Sequence, residues 1–121
     1  MAATFTITDP DRALAFYTKG LGMTAAARND MPTVTEYPVR FPGGDAYLLL
    51  LARKGVDRTM PRPAGNGVIL SVPDVKALKA RLEAAGYALT GPLVEVKAFN
   101  VVVGHVADPD GNQLELVQGA P

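Results

Sequence analysis

Two side chains bound the chemistry open to this chain: His105, its only histidine, and Glu115 on a later apolar–polar alternation. An imidazole is the side chain best suited to general acid–base work near neutral pH, and on a strand it also serves as a hydrogen-bonded part of the scaffold. Glu115 lies in Gln113-Leu114-Glu115-Leu116-Val117, where it shares a strand face with Gln113 and Val117. A carboxylate there has three readings: it stays solvated, it anchors a donor group of a ligand, or it acts as a general base. The last requires surroundings that raise its pKa, and burial without a partner is costly. Cysteine is absent, so thiol nucleophiles, disulfides and thiolate metal sites are excluded. The sequence contains no Gly-x-Ser-x-Gly elbow, no phosphate-binding glycine loop and no His-Glu-x-x-His pair.

The remaining charges narrow the partners. Twelve Lys+Arg balance twelve Asp+Glu without blocks of either sign, so no positive field is available for a phosphate backbone, and nucleic acid is not an expected partner. No segment approaches the roughly 18 apolar residues of a membrane span, and the start Met1-Ala2-Ala3-Thr4-Phe5 lacks a basic region followed by an apolar run. A cytoplasmic protein with no membrane partner is the expectation. With 48% hydrophobic and 20% charged residues over 121 positions, one folded unit is expected, with room for a cleft between two layers.

The elements that position these side chains are written twice. Thr4 to Thr8 alternates as a half-buried strand and ends at Asp9-Pro10-Asp11, an N-cap, a first-turn proline and an acidic first-turn residue. A helix then runs through Asp11–Lys19 with Leu14, Phe16, Tyr17 and Leu21 as its apolar stripe, and Gly20 and Gly22 close it. Val68 to Val72, Pro73-Asp74 and the Leu78/Leu82 helix ending at Gly86 repeat the plan. Leu14 to Leu78 and Gly22 to Gly86 give the same spacing, 64, which sets Leu51 against Glu115. Strands follow at Met23–Arg28, Thr33–Phe41 and Tyr47–Arg53, and again at Leu93–Ala98, Val101–Val106 and Gln113–Gln118. Pro42-Gly43-Gly44-Asp45 and Asp108-Pro109-Asp110-Gly111-Asn112 turn the last two strands of each half. The fold class is α+β, two βαβββ modules in tandem whose curved mixed sheets form a cleft. Module one covers about 1–53, a linker about 54–65, and module two about 66–121, within a single domain.

Asp9-Pro10-Asp11-Arg12-Ala13-Leu14-Ala15-Phe16-Tyr17-Thr18-Lys19-Gly20-Leu21-Gly22-Met23 and Asp108-Pro109-Asp110-Gly111-Asn112-Gln113-Leu114-Glu115-Leu116-Val117 resemble the first helix and last hairpin of the glyoxalase/bleomycin-resistance (vicinal oxygen chelate) superfamily. The resemblance, inside the duplicated frame, spans nearly the whole chain. It implies up to four metal ligands, from the first and last strands of each module. The positions that correspond are Ala2, then Leu49 by local match or Leu51 by the internal repeat, then Gly67, and Glu115. Alanine, leucine and glycine offer no ligand atom. One carboxylate remains, so neither a metal nor another cofactor is expected, and no catalytic residue is assigned.

The expected function is therefore binding of a small molecule, apolar or aromatic, held by sequestration in the manner of bleomycin-resistance proteins. Tyr47, Leu49 and Leu51, with Phe41 and Phe99 on neighbouring strands, are the expected apolar lining. Glu115 and His105 are the expected polar contacts, and Arg40 and Arg53 are solvated or pair with an anion. The alternative is an enzyme of the superfamily (lyase, isomerase or dioxygenase), with ligands from a partner chain or with metal-free chemistry at Glu115 or His105. The resemblance also implies a homodimer, with a cleft formed within one chain or by modules exchanged between two.

Overall fold

The computed structural model describes residues 2–44, 46–55 and 67–119. Most of the expected linker, the turn residue Asp45 and the side chain of Ala2 lie outside the described residues. The alternation at the start becomes β1 (Ala2–Ile7), with Phe5 and Ile7 buried. Asp9 caps α1 (Pro10–Ala15) by accepting the Arg12 backbone N–H at 3.2 Å. The helix then widens into a π turn over Phe16–Gly20. Strands β2 (Thr24–Ala25), β3 (Asn29–Asp30), β4 (Val34–Arg40) and β5 (Tyr47–Arg53) complete the first module. The second is β6 (Val68–Ser71), α2 (Val75–Ala84), β7 (Val94–Val96), β8 (Val101–Ala107) and β9 (Gln113–Gln118), with Asp74 capping α2 through the Ala77 N–H.

One sheet runs β1-β5-β4-β2, with β3 also on β4, and the other runs β6-β9-β8-β7. The β1/β5 and β6/β9 pairs are parallel and the rest antiparallel, so both sheets are mixed and each first strand lies at an edge beside its module's last. This is the α+β architecture of two βαβββ modules that the sequence indicates.

The modules are not related by one constant spacing. The N-caps Asp9 and Asp74 are 65 apart, whereas the left-handed glycines Gly22 and Gly86 that follow the helices are 64 apart. The first helix thus holds one extra residue, and a π turn is how a helix absorbs one. Phe16, Tyr17, Gly20 and Leu21 are all buried. Gly20 takes no part in a left-handed cap, contrary to expectation. A Cβ there would lie 3.1 Å from the Tyr87 ring and 3.2 Å from Leu82, so glycine permits the close approach of the two modules' helical segments.

The strand expected over Met23–Arg28 is interrupted for a reason visible in its neighbour. Pro38 faces the outer strand, where its carbonyl accepts the Ala26 N–H at 3.0 Å, and it has no N–H to return. Ala25 pairs with Val39 and Asn29 with Glu36, so Ala27 and Arg28 stand opposite Tyr37 alone. The extra residue is a bulge that separates β2 from β3.

A single buried cluster runs through both modules, including Phe16, Tyr17, Val39, Leu48 and Leu50 from the first and Val75, Leu82, Val106, Leu114 and Leu116 from the second. A polar clasp crosses the same boundary. The Tyr17 hydroxyl donates to Asp108 Oδ2 at 2.7 Å, and the Asn112 side-chain amide donates to the same oxygen at 2.8 Å and to the Thr6 carbonyl at 3.0 Å. Asp108 Oδ1 accepts the backbone N–H groups of Asp110 and Asn112, each at 2.9 Å. The Thr8 hydroxyl donates to Asp110 Oδ1 at 2.6 Å, and Arg12 Nη2 donates to the Pro109 carbonyl at 3.1 Å.

Burial, and then the Asp108 carboxylate beside it, push the Tyr17 hydroxyl above the ordinary tyrosine range. Above about pH 10 the unfolded chain releases this proton while the folded chain retains it. The group's contribution to stability, intact below that pH, is then lost as pH rises, by up to about 1.4 kcal/mol per pH unit. Tyr17→Phe should cost about 1–3 kcal/mol at pH 7, since it removes a donor from a buried carboxylate. In urea titrations from pH 7 to 11 the gap between wild type and variant should shrink above about pH 10; a gap independent of pH would contradict this account of Tyr17.

Candidate functional site

Strand alternation divides each sheet into a face packed on the core and a face turned away from it. On β9, Leu114 and Leu116 are buried and Glu115 points the other way; on β8, Gly104 and Val106 are buried and His105 is outside. Glu115 pairs with His105 on one side and with Ile69 of β6 on the other. These three side chains form a row across the outer face of the second sheet. His105 Nε2 stands 3.4 Å from Glu115 Oε1, with the side chains 50% and 35% exposed. A pair this open contributes about 0–1 kcal/mol to stability. Its polar atoms are therefore free to take a third partner at little cost to the fold. The row overlooks a hollow of about 340 Å³ lined by Gly67, Val68 and Ile69 together with Gln113, Leu114 and Glu115.

A larger hollow of about 520 Å³ adjoins it and is built from both modules: Met23, Phe41, Tyr47 and Leu48 from the first, β6 from the second. Val68 and Ile69 line both hollows and are the wall they share. The Arg40 guanidinium lies 5.3 Å from the centre of the Tyr47 ring, and its Nη1 donates to the Gly44 carbonyl at 3.3 Å. Arg40 is exposed, as expected, and also engages the aromatic edge of this hollow.

The expected residues separate accordingly. His105 and Glu115 meet in the smaller hollow, and Tyr47 and Phe41 line the larger. Phe41 reaches it from just beyond β4, on the core side, where it packs against the buried cluster. Leu49 and Leu51 face away from the core beside Thr4 and Thr6, half-buried, and are not among the residues lining these two hollows. Phe99 is a correction. It lies in the turn between β7 and β8, where the Phe99 N–H reaches the Val96 carbonyl and Asn100 takes a positive φ, and it is 77% exposed, away from both hollows. Ile69 and Met23 were not singled out from sequence. Ile69 carries a usable signal, since it is the apolar residue at the polar alternation point of its strand.

Strand register also decides between Leu49 and Leu51. Ala2 pairs with Tyr47, and Leu49 is two residues further along β5; Gly67 lies against Gln113, and Glu115 is two further along β9. The equivalent of Glu115 is therefore Leu49, 66 residues earlier, and not Leu51. The four corresponding positions are Ala2, Leu49, Gly67 and Glu115, and only the last has a donor atom. Among the described residues no group of three or more His, Asp or Glu is placed to hold a metal ion. This donor set does not fit a metal.

Residues 2–116 match the family model of the Glyoxalase/Bleomycin resistance protein/Dioxygenase superfamily. The chain belongs to this family. A lactoylglutathione lyase from Escherichia coli O157:H7 is 30% identical over 115 residues, covering 91% of this chain and 84% of that protein. Among solved structures, glyoxalase I from Zea mays superposes with a TM-score of 0.81 at 26% identity; the match covers 99% of this chain and 44% of the maize protein, so this chain spans less than half of it. TnmS3, an antibiotic binding protein from Streptomyces sp. CB03234, superposes with a TM-score of 0.73 at 28% identity, covering 99% of this chain and 96% of that one.

The family's scaffold is thus present, and of the four positions that the resemblance makes correspond only Glu115 carries a side-chain donor. Titration of the purified, chelator-treated protein with Zn²⁺, Ni²⁺ or Mn²⁺ should leave its thermal midpoint unchanged, because no binding free energy is available to add to stability. One tightly bound equivalent, accompanied by a rise in the midpoint, would overturn the assignment of these positions.

Proposed function

We propose that this protein binds a small apolar or aromatic molecule and acts by holding it. The observation that carries this reading is the coincidence at Glu115: the one retained donor position stands 3.4 Å from His105 and next to a 520 Å³ hollow with an aromatic and aliphatic lining. A ligand lodged with its apolar body against Tyr47, Phe41 and Ile69 would direct a donor group at the carboxylate of Glu115, while the imidazole offers either a donor or an acceptor. Sequestration needs no more than this. The likeness to an antibiotic binding protein along nearly the full length of both chains supports the reading.

The second reading, a lyase, rests on the E. coli relative that carries that name. Metal-dependent chemistry would have to find its ligands elsewhere. A second copy of this chain brings the same Ala2, Leu49 and Gly67, so homodimerisation, whether or not it exchanges modules, does not complete the set. What remains to an enzyme is metal-free proton transfer by Glu115 or His105, both of which are open to solvent.

A homodimer in the cytoplasm is part of the same proposal, drawn from the family. Among the described residues no helix is long and apolar enough to cross a membrane.

The test uses 1-naphthylmethylamine, an aromatic body bearing a donor cation, with naphthalene as its donor-free counterpart. Calorimetry should show Glu115→Gln weakening the amine by about tenfold or more, as loss of a charge-assisted contact implies, with little effect on naphthalene. Tyr47→Ala should weaken both. Turnover of lactoylglutathione by the wild type, lost in Glu115→Gln, would replace this reading with the lyase.

A further inference from the structure

Away from the Glu115 face, on the helical side of the molecule, a third hollow of about 430 Å³ opens along the seam between the modules. Its apolar walls are Leu21 and Phe41 from the first module and Val72 and Leu78 from the second. Phe41 lines the larger hollow as well. Neither His105 nor Glu115 reaches this space.

Two charged side chains stand on it, both from the α2 segment. The Asp74 carboxylate is occupied in capping the helix through the Ala77 N–H at 3.0 Å. Arg81 follows two turns later, roughly 10 Å along the axis at 1.5 Å per residue. Its Nη2 donates to the Thr18 carbonyl at 3.2 Å. The rest of the guanidinium lies across Gly22, where a Cβ would come within 3.0 Å of Nε, so the left-handed glycine makes room for it. No carboxylate pairs with Arg81 among the described residues. An arginine held in place by a backbone carbonyl, with donors left over and an apolar hollow beside it, is complementary to a carboxylate on an apolar body.

We propose that this seam hollow is a second ligand site, separate from the Glu115 face, for a small amphipathic monocarboxylate. The carboxylate pairs with Arg81 and the hydrocarbon or aryl body lies against Leu21, Phe41, Val72 and Leu78. Because the walls come from both modules, occupancy also ties the modules together.

Decanoate and decanol are the probes, titrated calorimetrically into the full-length protein. Decanoate should bind one equivalent per chain. Arg81→Gln should weaken it by about tenfold, the loss expected for one charge-assisted hydrogen bond, and leave decanol within about twofold. Ala77→Phe, which adds bulk at an exposed wall position without entering the core, should abolish binding of both. Glu115→Gln should change neither, which separates this site from the other. Circular dichroism and thermal midpoints of the variants must match the wild type. Three results would each overturn the proposal: no decanoate binding up to millimolar concentration, decanoate binding indifferent to Arg81→Gln, or sedimentation showing that Ala77→Phe dissociates a dimer, which would mean a second copy fills the hollow.

Discussion

The hydrogen bond from the Tyr17 hydroxyl to the Asp108 carboxylate is the contact on which the arrangement of the two modules turns. Asp108 is almost wholly buried, and a carboxylate in that position is tolerated only when donors surround it. It has them: Tyr17, the Asn112 amide and two backbone N–H groups of its own turn. Asn112 extends the arrangement by reaching the Thr6 carbonyl on β1. The turn between β8 and β9 is thereby fixed against the first strand and first helix of the other module, and with it the strands that carry His105 and Glu115. The two segments most telling in the sequence, one around Phe16-Tyr17 and one at Asp108–Asn112, are the two sides of a single contact.

The π turn belongs to the same constraint. The extra residue is absorbed in the π turn, in which Phe16, Tyr17 and Gly20 are buried and from which the Tyr17 hydroxyl reaches Asp108. The second module needs no such insertion, because Leu82, at the place corresponding to Tyr17 when counted from the N-caps, has no polar atom to deliver and is simply buried. The departure from exact repetition therefore falls where the two modules have different work to do.

Those local departures mark the limit of what the sequence made legible. Strands β5 and β9 were readable to the residue because alternation and flanking turns agreed, and the Asp9 N-cap followed from its side-chain chemistry. The π turn was not readable, since the stripe Leu14, Phe16, Tyr17 and Leu21 fits an ordinary helix nearly as well. The break between β2 and β3 depends on which neighbour Pro38 faces, and that is a property of the assembled sheet. Phe99 was expected beside the cleft, but it falls between the expected strands Leu93–Ala98 and Val101–Val106, where Asn100 adopts the left-handed conformation of a turn. In the candidate site, Glu115 and His105 could each be placed on a face from alternation alone. Their adjacency, and the part played by Ile69, required the register of three strands.

Register also explains how a scaffold of this family can shed its ligand set and still fold. On β5 and β9 the residues facing the core are Leu48, Leu50, Leu114 and Leu116, while Leu49 and Glu115 face away. A period of two separates the duties completely: one face supplies the burial that stabilises the module, and the other is free to vary. Replacing a carboxylate by leucine on the free face leaves the core untouched and removes the repulsion and desolvation that clustered ligands impose when no metal is bound. Leucine at such a position is therefore not costly to stability. Glu115 faces away from the core beside His105, 3.4 Å from it, a single carboxylate where a metal would need several ligands.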